Sequence, residues 1–253
     1  MEDSGHQLFI GVDEYDAPAN AALFSSVRNI HEDVVQLFST RFYAVLKEAV
    51  ARNIVAKYWI TGVLPAFRDG ISPLLAVKTL SMSPRFHGIC GFTHAEVRTI
   101  AETYLSPSLQ SHEISAVMHE LQQWHNGHRF CEDAIEPLYN PQLVFTRLTH
   151  LAMEEVQKPR DELEAIHMNN ALYSIGESTF PDIFLSATSS KLVSEIRYEF
   201  SSAAVKDPNP ESWVSQTLLF FFGVFTFAKR GPFLTIPNKT MRQLVCFTIT
   251  SEF

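Results

Sequence analysis

The stretch LFIGVDEYDAP, residues 8–18, decides how the rest of the sequence is interpreted. Four of its first five residues are apolar, and two adjacent acids, Asp13 and Glu14, follow them directly. A short apolar run bounded by polar residues is typical of a buried β-strand. The sequence therefore predicts a strand over residues 8–12 that delivers a pair of carboxylates at its C-terminal end.

Two interpretations of this acid pair follow. In nucleotide hydrolases such a strand is a Walker B motif, in which the first acid holds Mg²⁺ and the second orients the attacking water. The plainer interpretation is a pair of solvated acids at a strand end, as occurs in many α/β proteins. A Walker A loop normally precedes a Walker B motif, but the 253 residues contain no G-x-x-x-x-G-K-[ST].

Composition places the chain among folded, intracellular proteins. Apolar residues make up 46% of it, and its formal net charge of -8 disfavours a general affinity for DNA or anionic membranes. Three widely spaced cysteines and an acidic, polar N-terminus indicate reduced thiols and no signal peptide. The longest apolar run, residues 218–228, is shorter than the roughly 20 residues of a transmembrane helix. We expect a protein of the cytoplasm or nucleus with no membrane partner.

Residues 1–80 have the pattern of a β-α-β unit. Apolar residues recur at helical spacing from about Ser25 to Arg52, which predicts a long helix. Residues 53–63, NIVAKYWITGV, form a second run that is rich in β-branched and aromatic residues. Because both predicted strands are nearly all apolar, we expect a parallel sheet that is covered on both faces.

The second predicted strand ends at Thr61, a small polar residue. Since ligands gather at the carboxyl ends of parallel strands, Thr61 would lie near Asp13. In ATPases a polar residue at this position is a sensor that contacts the γ-phosphate or the attacking water. The alternative interpretation of Thr61 is a cap or turn residue.

Residues 81–160 are predicted to be mostly helical. Thr93 and Glu96 form a capping box ahead of one amphipathic run. Gly127 is the predicted stop of the next helix, and Asn140, followed by proline, is the predicted start of another.

Residues 161–253 are predicted to form a third module. A strongly apolar helix ends at Gly223, a hairpin signal surrounds AKRGP, and Asn238 caps a final helix. Helix, hairpin and helix in this order fit a winged-helix module. Lys229 and Arg230 would lie at the tip of the wing, where basic side chains contact a phosphate backbone or are simply solvated.

A histidine-rich stretch has the spacing of a metal site. His125, His128 and Cys131 follow an H-x2-H-x2-C pattern whose nitrogen and sulfur atoms suit zinc. The sequence has no H-E-x-x-H and no second C-x-x-C pair, and a glycine interrupts the helix between the two histidines. We therefore expect no zinc here but a loop packed by Trp124 and Phe130.

Several motifs, in the same order, resemble those of the AAA-ATPase-like proteins of bacteria and fungi, in which a restriction-nuclease-like domain often follows the ATPase core. GVDEYDAPAN is similar to the family's IDEYD-P, and YWITGVLP to its -ITGV- strand. RFHGICGFTHAEV resembles F----GFT--EV, WHNGHRF resembles WYNGYRF, and LYNPQLV resembles VYNP-S. GVFTFAKRGPFLTIPN resembles G-LT------L-IPN. The matching residues of the first and third elements are Asp13, Glu14, Tyr15, Asp16, Pro18, Gly91, Phe92, Thr93, Glu96 and Val97.

The resemblance implies a fold and a set of site residues. The fold is α/β: a partial P-loop NTPase-like parallel sheet in residues 1–80, a helical lid-like region in 81–160 and a winged-helix-like α+β module in 161–253. ATP and Mg²⁺ would be the cofactors. Asp13 would hold Mg²⁺, Glu14 would position water and Thr61 would be the sensor, with Asp13 and Thr61 contacting the nucleotide. A family signature of undetermined chemistry comprises Trp124, Asn126, Gly127 and Arg129.

Two parts of the family pattern are missing from this sequence. The Walker A loop is absent, and after IPN only residues 239–253 remain where the nuclease-like domain would follow. Without the loop no backbone amides cradle the phosphates and no lysine reaches them. We therefore expect a truncated or shortened form with doubtful nucleotide binding. Its incomplete sheet would need cover from a protein partner or from self-association.

Three functional hypotheses follow. The first is a degenerate ATPase module, truncated or catalytically incomplete, that acts in binding or regulation and keeps its acid pair as a remnant. The second is the C-terminal part of an active ATPase that an upstream sequence or a partner chain completes. The third is a winged-helix nucleic-acid binder, which the net negative charge disfavours.

Overall fold

The computed structural model of the chain describes most of its residues, and these fall into two units. The described residues are 6–23, 30–64, 77–105, 109–153, 180–189, 191–198, 200, 202–205, 207 and 210–250. One unit comprises Met1–Lys78 and Glu195–Phe221, and the other comprises Thr79–Ser194 and Phe222–Phe253. Each unit is thus built from two separate stretches of chain. The division into three consecutive domains stays a prediction.

The first unit begins with the predicted strand. Strand β1 (Leu8–Val12) pairs in parallel with β2 (Val55–Ile60), and the register aligns Phe9 with Lys57 and Val12 with Ile60. The predicted parallel pairing is therefore confirmed. The connection between the strands contains α1 (Ala17–Leu23), α2 (Ile30–Leu37), a π-helical segment (Phe38–Tyr43) and α3 (Ala44–Ala51).

The long helix predicted from about Ser25 to Arg52 is interrupted. Six π-helical residues, Phe38–Tyr43, separate α2 from α3, and the predicted helix start at Ser25 lies outside the described residues. The Thr40 hydroxyl donates to the Gln36 carbonyl at 2.8 Å within this region. Such a bond competes with the backbone ladder of the helix. Apolar periodicity does not report this competition, because it carries no information on hydrogen bonds between side chains and the backbone.

Only one face of the β1–β2 sheet is covered within the described residues. Tyr43 and Leu46 form a core with the strands, and the strand residues packed in it are Val55, Ile10, Tyr58 and Ile60. On the other face, Phe9 is 69% exposed and Trp59 is 38% exposed. A methyl group added at Gly11 would meet nothing within 4 Å. Parallel sheets are ordinarily buried on both sides, and cover of this second face stays a prediction, because residues 24–29 and 65–76 lie outside the described residues.

The second unit is mainly helical in its first part, as the sequence predicts. A 3₁₀ helix (Pro84–Cys90) is followed by α4 (His94–Leu105), α5 (Ser111–His125) and α6 (Pro141–Ala152). These three α-helices share one apolar core. Its buried residues are Val97, Ala101, Leu105, Ile114, Met118, Leu121, Tyr139, Val144 and Leu148.

The predicted starts of these helices are confirmed at atomic detail. The Thr93 amide donates to the Glu96 carboxylate at 2.8 Å, and the Glu96 amide donates back to the Thr93 hydroxyl at 3.3 Å. The Asn140 side chain accepts a bond from the Leu143 amide at 3.2 Å. These contacts satisfy amides that a helix N-terminus otherwise leaves without partners.

The described residues from Phe180 onward form short helices and strands. The elements are α7 (Phe180–Thr188), β3 (Leu192–Val193), α8 (Ser202–Val205), α9 (Ser212–Phe221), β4 (Thr226–Phe227), β5 (Phe233–Thr235) and α10 (Lys239–Thr250). The predicted hairpin is confirmed, because β4 and β5 pair antiparallel. Strand β3, which the sequence did not predict, pairs with the other edge of β5.

The signals around this hairpin are also confirmed. Helix α9 ends just before Gly223, whose φ is 77°, and the Asn238 side chain accepts a bond from the Met241 amide at 3.0 Å. The winged-helix arrangement stays a prediction. Among the described residues, no helix is both long and apolar enough to cross a membrane.

Replacing Asn140 with alanine is expected to lower the free energy of unfolding by about 1 kcal/mol, because the Leu143 amide at the start of α6 loses its acceptor. Urea unfolding followed by circular dichroism measures the change. Gln142→Ala is the matched control, since Gln142 is exposed in the same helical turn. An equal loss in both variants would contradict the capping role.

Candidate functional site

The carboxyl ends of β1 and β2 bring Asp13 and Thr61 into contact. The Thr61 amide donates to the Val12 carbonyl at 2.8 Å, which continues the pairing of the two strands beyond their last residues. The Thr61 hydroxyl then donates to Oδ1 of Asp13. Asp13 is exposed and Thr61 is half-buried. Two residues that are 48 positions apart in the sequence therefore form one polar cluster at the sheet edge.

One oxygen of Asp13 carries both of its described hydrogen bonds. Oδ1 accepts from the Thr61 hydroxyl and from the Glu14 amide, the latter at 3.0 Å. Oδ2 accepts no hydrogen bond from any described residue. A carboxylate oxygen held in this way suits a hard cation such as Mg²⁺. A single carboxylate of this kind suits one ligand position of Mg²⁺, whose other ligands are commonly waters and phosphates. The described residues at these strand ends include no group of three His, Cys, Asp or Glu side chains that could hold the ion alone.

Glu14 has an unusual backbone conformation. Its φ is 51°, in the left-handed region that non-glycine residues rarely adopt. The residue is exposed, and its carboxylate has no hydrogen-bond partner or ion-pair partner among the described residues. Such strained positions are maintained only where the surroundings fix them, often at functional sites.

Asp16 is the buried acid of this region. It is 1% exposed, and its carboxylate accepts bonds from the Val63 amide at 3.1 Å and the Leu64 amide at 2.6 Å. The Asn20 side chain donates to the same carboxylate at 2.6 Å. Asp16 thus connects the segment after β1 to the segment after β2.

Gly62 makes this connection sterically feasible. A Cβ at Gly62 would overlap the Asp16 carboxylate and the ring of Tyr15. The Tyr15 hydroxyl donates to the Leu64 carbonyl at 2.8 Å, and the Tyr15 amide donates to the Thr61 carbonyl at 3.0 Å. The DEYD and ITGV motifs are therefore hydrogen-bonded to each other along most of their length.

The charge on Asp16 also acts on the neighbouring core. Burial, with the negative charge of Asp16, raises the pKa of Tyr43 to about 12. The Tyr43 phenol is therefore neutral at physiological pH. A neutral phenol adds no second negative charge beside the buried carboxylate.

In the second unit the motifs of the sequence join one another through the backbone. Phe92 of GFT and Tyr139 of LYNP exchange two backbone hydrogen bonds, at 2.8 and 3.2 Å. His128 of WHNGHRF and Leu138 exchange another pair, at 2.8 and 3.2 Å. Motifs that are far apart in the sequence thus form one connected region.

Arg129 and Asn126 of the signature are tied to this region. Arg129 is 9% exposed, and its amide donates to the Thr226 hydroxyl at 2.6 Å while its guanidinium donates to the Ala134 carbonyl at 2.8 Å. Asn126, which is 6% exposed, accepts a bond from the Gly127 amide at 2.7 Å. These polar groups are used internally, so their contacts indicate a structural role.

Trp124 and Gly127 contact the end of the IPN motif and the start of α10. The Thr240 hydroxyl donates to the Trp124 carbonyl at 2.7 Å, and the Lys239 ammonium lies 5.6 Å from the centroid of the Trp124 ring. Gly127 has a φ of 120°, and a Cβ there would overlap the Pro237 carbonyl. Glycine is therefore required at this position for two reasons: the positive φ, and the lack of space for a Cβ.

The candidate zinc ligands are buried in this same region. His125 is completely buried, and His128 and Cys131 are 6% and 3% exposed. His128 Nε2 lies 3.4 Å from the Asn238 side-chain nitrogen, a pairing in which the imidazole accepts. Within the part of the chain that the structure describes, no three His, Cys, Asp or Glu side chains are grouped to hold a metal ion.

Comparison with known proteins gives one match. Residues 1–72 match the model of the AAA-ATPase-like family, described as Predicted AAA-ATPase. This part of the chain resembles a predicted AAA-ATPase. The match covers 72 of the 253 residues and includes Asp13 and Thr61, but it ends before the GFT, WHNGHRF, LYNP and IPN motifs. No curated protein and no solved structure matches the chain.

The structure places the predicted site residues in two separate groups. Asp13, Glu14 and Thr61 lie together at the strand ends, whereas the WHNGHRF residues lie in the second unit. The sequence analysis assigned no site role to Asp16 or Gly62, although both stand in the quoted motifs. The available signal was an acid three positions after Asp13 together with a glycine directly after Thr61.

Replacing Gly127 with alanine is expected to destabilise the second unit by about 1–3 kcal/mol through backbone strain alone, with the overlap on Pro237 adding to it. Thermal unfolding measures the loss. Gly88→Ala is the matched control, because Gly88 is exposed and an added Cβ meets nothing within 4 Å. If Gly127→Ala were as stable as this control, the close approach to Pro237 would be wrong.

Stability is expected to fall between about pH 6.5 and pH 4, partly through buried histidines. Burial lowers the pKa of His128 to about 4, and burial together with the charge of Arg147 lowers that of His125 to about 4. In this interval the unfolded chain binds protons that the folded chain does not bind. Each such histidine therefore costs up to about 1.4 kcal/mol per pH unit as the pH falls, and nothing further below pH 4.

The variant His128→Gln isolates this effect in urea unfolding at a series of pH values. It should flatten the dependence of the unfolding free energy on pH in this interval, because one of the two imidazoles is removed. His112→Gln, at an exposed helical position, should leave the dependence as in the parent protein. An unchanged slope in His128→Gln would show that folding does not lower the pKa of this imidazole.

Proposed function

We propose that the carboxyl edge of β1 and β2 is the magnesium-binding and water-orienting half of a nucleotide site. In this proposal Asp13 is the Mg²⁺ ligand, Glu14 orients water and Thr61 is the sensor. The chain of 253 residues then acts as a binding or regulatory module of AAA-ATPase type, not as a self-sufficient ATPase. The observation that carries the proposal is the hydrogen bond from the Thr61 hydroxyl to Asp13 at the ends of adjacent parallel strands.

The chemistry of the strand ends supports this assignment. Asp13 is exposed and keeps one carboxylate oxygen without a described hydrogen bond, so the oxygen is available to a cation. A bound Mg²⁺ would neutralise phosphate charge at this edge. Glu14 is the next residue, is exposed and has a positive φ of 51°. The family match over residues 1–72 supports the same assignment.

The phosphate-holding half of such a site is not encoded in these 253 residues. A Walker A loop supplies backbone amides, a lysine and a hydroxyl to the phosphates and the metal, and the sequence contains no G-x-x-x-x-G-K-[ST]. Phosphoryl transfer depends almost entirely on positioning and charge stabilisation. A site that holds only half of the required groups should therefore not hydrolyse ATP.

A second candidate function is favoured by the exposure of Phe9 on the outer face of the sheet. Its side chain is 69% exposed, whereas aromatic side chains of a parallel sheet are normally buried. A further segment or a partner chain that covers the sheet and carries a phosphate loop would complete an active ATPase. In that case the same three residues, Asp13, Glu14 and Thr61, would be catalytic.

The purified chain is expected to show no ATP hydrolysis and no magnesium-dependent ATP affinity in the micromolar range, because it lacks the phosphate-binding loop. Isothermal titration with and without Mg²⁺, together with a phosphate-release assay, measures both. Asp13→Asn and the control Asp33→Asn remove the same charge, the latter on an exposed turn of α2.

A micromolar, magnesium-dependent affinity that Asp13→Asn abolishes and Asp33→Asn retains would overturn the half-site proposal. Turnover that appears only after addition of a chain bearing a G-K-[ST] loop, and that Glu14→Gln removes, would favour the second candidate instead.

A further inference from the structure

Asp16 combines features that a solvated acid lacks. It is 1% exposed, although it lies only three residues after the exposed Asp13. Its carboxylate has three donors around it: the amides of Val63 and Leu64 and the side-chain amide of Asn20. A buried carboxylate is expensive unless it is fully hydrogen-bonded, and here two of the three partners come from the loop that follows Thr61 and the third from α1.

We propose that Asp16 is a positioning residue for the magnesium-binding half-site. Its carboxylate fixes the loop after β2 against the loop after β1 and so holds the Thr61 hydroxyl on Asp13. This inference rests on the proposed function, because it assigns Asp16 a task only if Asp13 binds a divalent cation. Asp16 touches neither cation nor nucleotide in this scheme.

The connectivity of the two loops makes the coupling short. On the β2 side, only Gly62 lies between Thr61 and Val63, whose amide, like that of Leu64, donates to Asp16. On the β1 side, the Tyr15 amide donates to the Thr61 carbonyl at 3.0 Å. Thr61 is therefore restrained from both sides. Displacement of the Asp16 carboxylate would release the Val63 and Leu64 amides, and with them the backbone that follows Thr61.

The same connectivity sets the conformation of Glu14. The Ala17 amide donates to the Glu14 carbonyl at 3.0 Å, and the Asn20 amide donates to the Asp16 carbonyl at 2.7 Å. These bonds close a tight turn from the strand end into α1. The positive φ of Glu14 is the conformation that this turn imposes while Asp16 points its carboxylate at the other loop.

Gly62 offers a way to disturb this contact without changing any charge. A Cβ at Gly62 would overlap the Asp16 carboxylate and the ring of Tyr15, so the carboxylate must move away from the Val63 and Leu64 amides and the ring must shift with it. Gly11 in β1 is the matched control, because an added Cβ there meets nothing within 4 Å. Gly62→Ala and Gly11→Ala thus make the same chemical change, with and without displacement of Asp16.

Mn²⁺ replaces Mg²⁺ at carboxylate sites and broadens nearby NMR signals, so it serves as the probe for the full chain. In the parent protein we expect Mn²⁺ to broaden the amide signals of Asp13 and Thr61, and Asp13→Asn to remove this effect. Gly62→Ala should weaken the Mn²⁺ affinity about tenfold, the usual size of a loss of support for a metal ligand. Gly11→Ala should leave the affinity as in the parent.

The possible results separate the two proposals. If Mn²⁺ binds at Asp13 with the same affinity in the parent and in folded Gly62→Ala, Asp16 is a purely structural residue and the positioning role is wrong. If Mn²⁺ does not broaden Asp13 in the parent protein, the half-site proposal itself fails and the positioning role fails with it.

If Gly62→Ala does not fold, Asp16→Asn is a second variant that tests the positioning role. Asparagine has the size of aspartate, but it replaces one acceptor oxygen by an NH₂ group among donors. A selective increase in solvent exchange at the Val63 and Leu64 amides, with the β1–β2 ladder still protected, would confirm that the contact has opened. The Mn²⁺ affinity should then fall relative to Asp33→Asn, which removes the same charge. Equal affinities in these two variants would overturn the positioning role.

Discussion

The buried carboxylate of Asp16 is the interaction on which the strand-end site depends. It accepts hydrogen bonds from the amides of Val63 and Leu64, which are 47 and 48 residues away along the chain. In an interior of low dielectric, such charge-assisted bonds are strong when all partners are present, and an unpaired carboxylate is costly. The contact therefore has one well-defined geometry. That geometry requires glycine at position 62, because any Cβ would occupy the place of the carboxylate.

In the second unit, residues of different motifs form hydrogen bonds with one another. The backbone pairs of Phe92 with Tyr139 and of His128 with Leu138 join three of the motifs, and Gly127 lies against Pro237 of the fourth. Buried polar groups in proteins are expected to find hydrogen-bond partners, and here several of the partners belong to other motifs. The side chains that resemble a signature of unknown chemistry thus have a structural explanation within the described residues.

The sheet of the first unit differs from an ordinary parallel sheet in what its outer face contacts. Helical residues around Tyr43 and Leu46 cover one side, while Phe9 and Trp59 on the other remain accessible to solvent. Burial of such side chains stabilises a protein by about 25 cal/mol for each Å² of apolar surface. This exposed surface supports the proposal that a further segment or partner completes the sheet, and the polar strand ends lie at the edge of that surface.

The sequence by itself determined the features that depend on neighbouring residues. The strand before Asp13, the capping box of Thr93 and Glu96, and the hairpin around AKRGP are all as predicted, because capping bonds and turn conformations involve residues close in sequence. The contact of Asp13 with Thr61 could also be predicted from the sequence, because the parallel pairing of two apolar runs aligns their carboxyl ends. Only the tertiary structure decided that Asp16 points at the loop after β2 and that Phe9 is exposed on the outer face of the sheet. Both depend on which distant segment occupies the space beside a residue, and no local preference of the backbone encodes that.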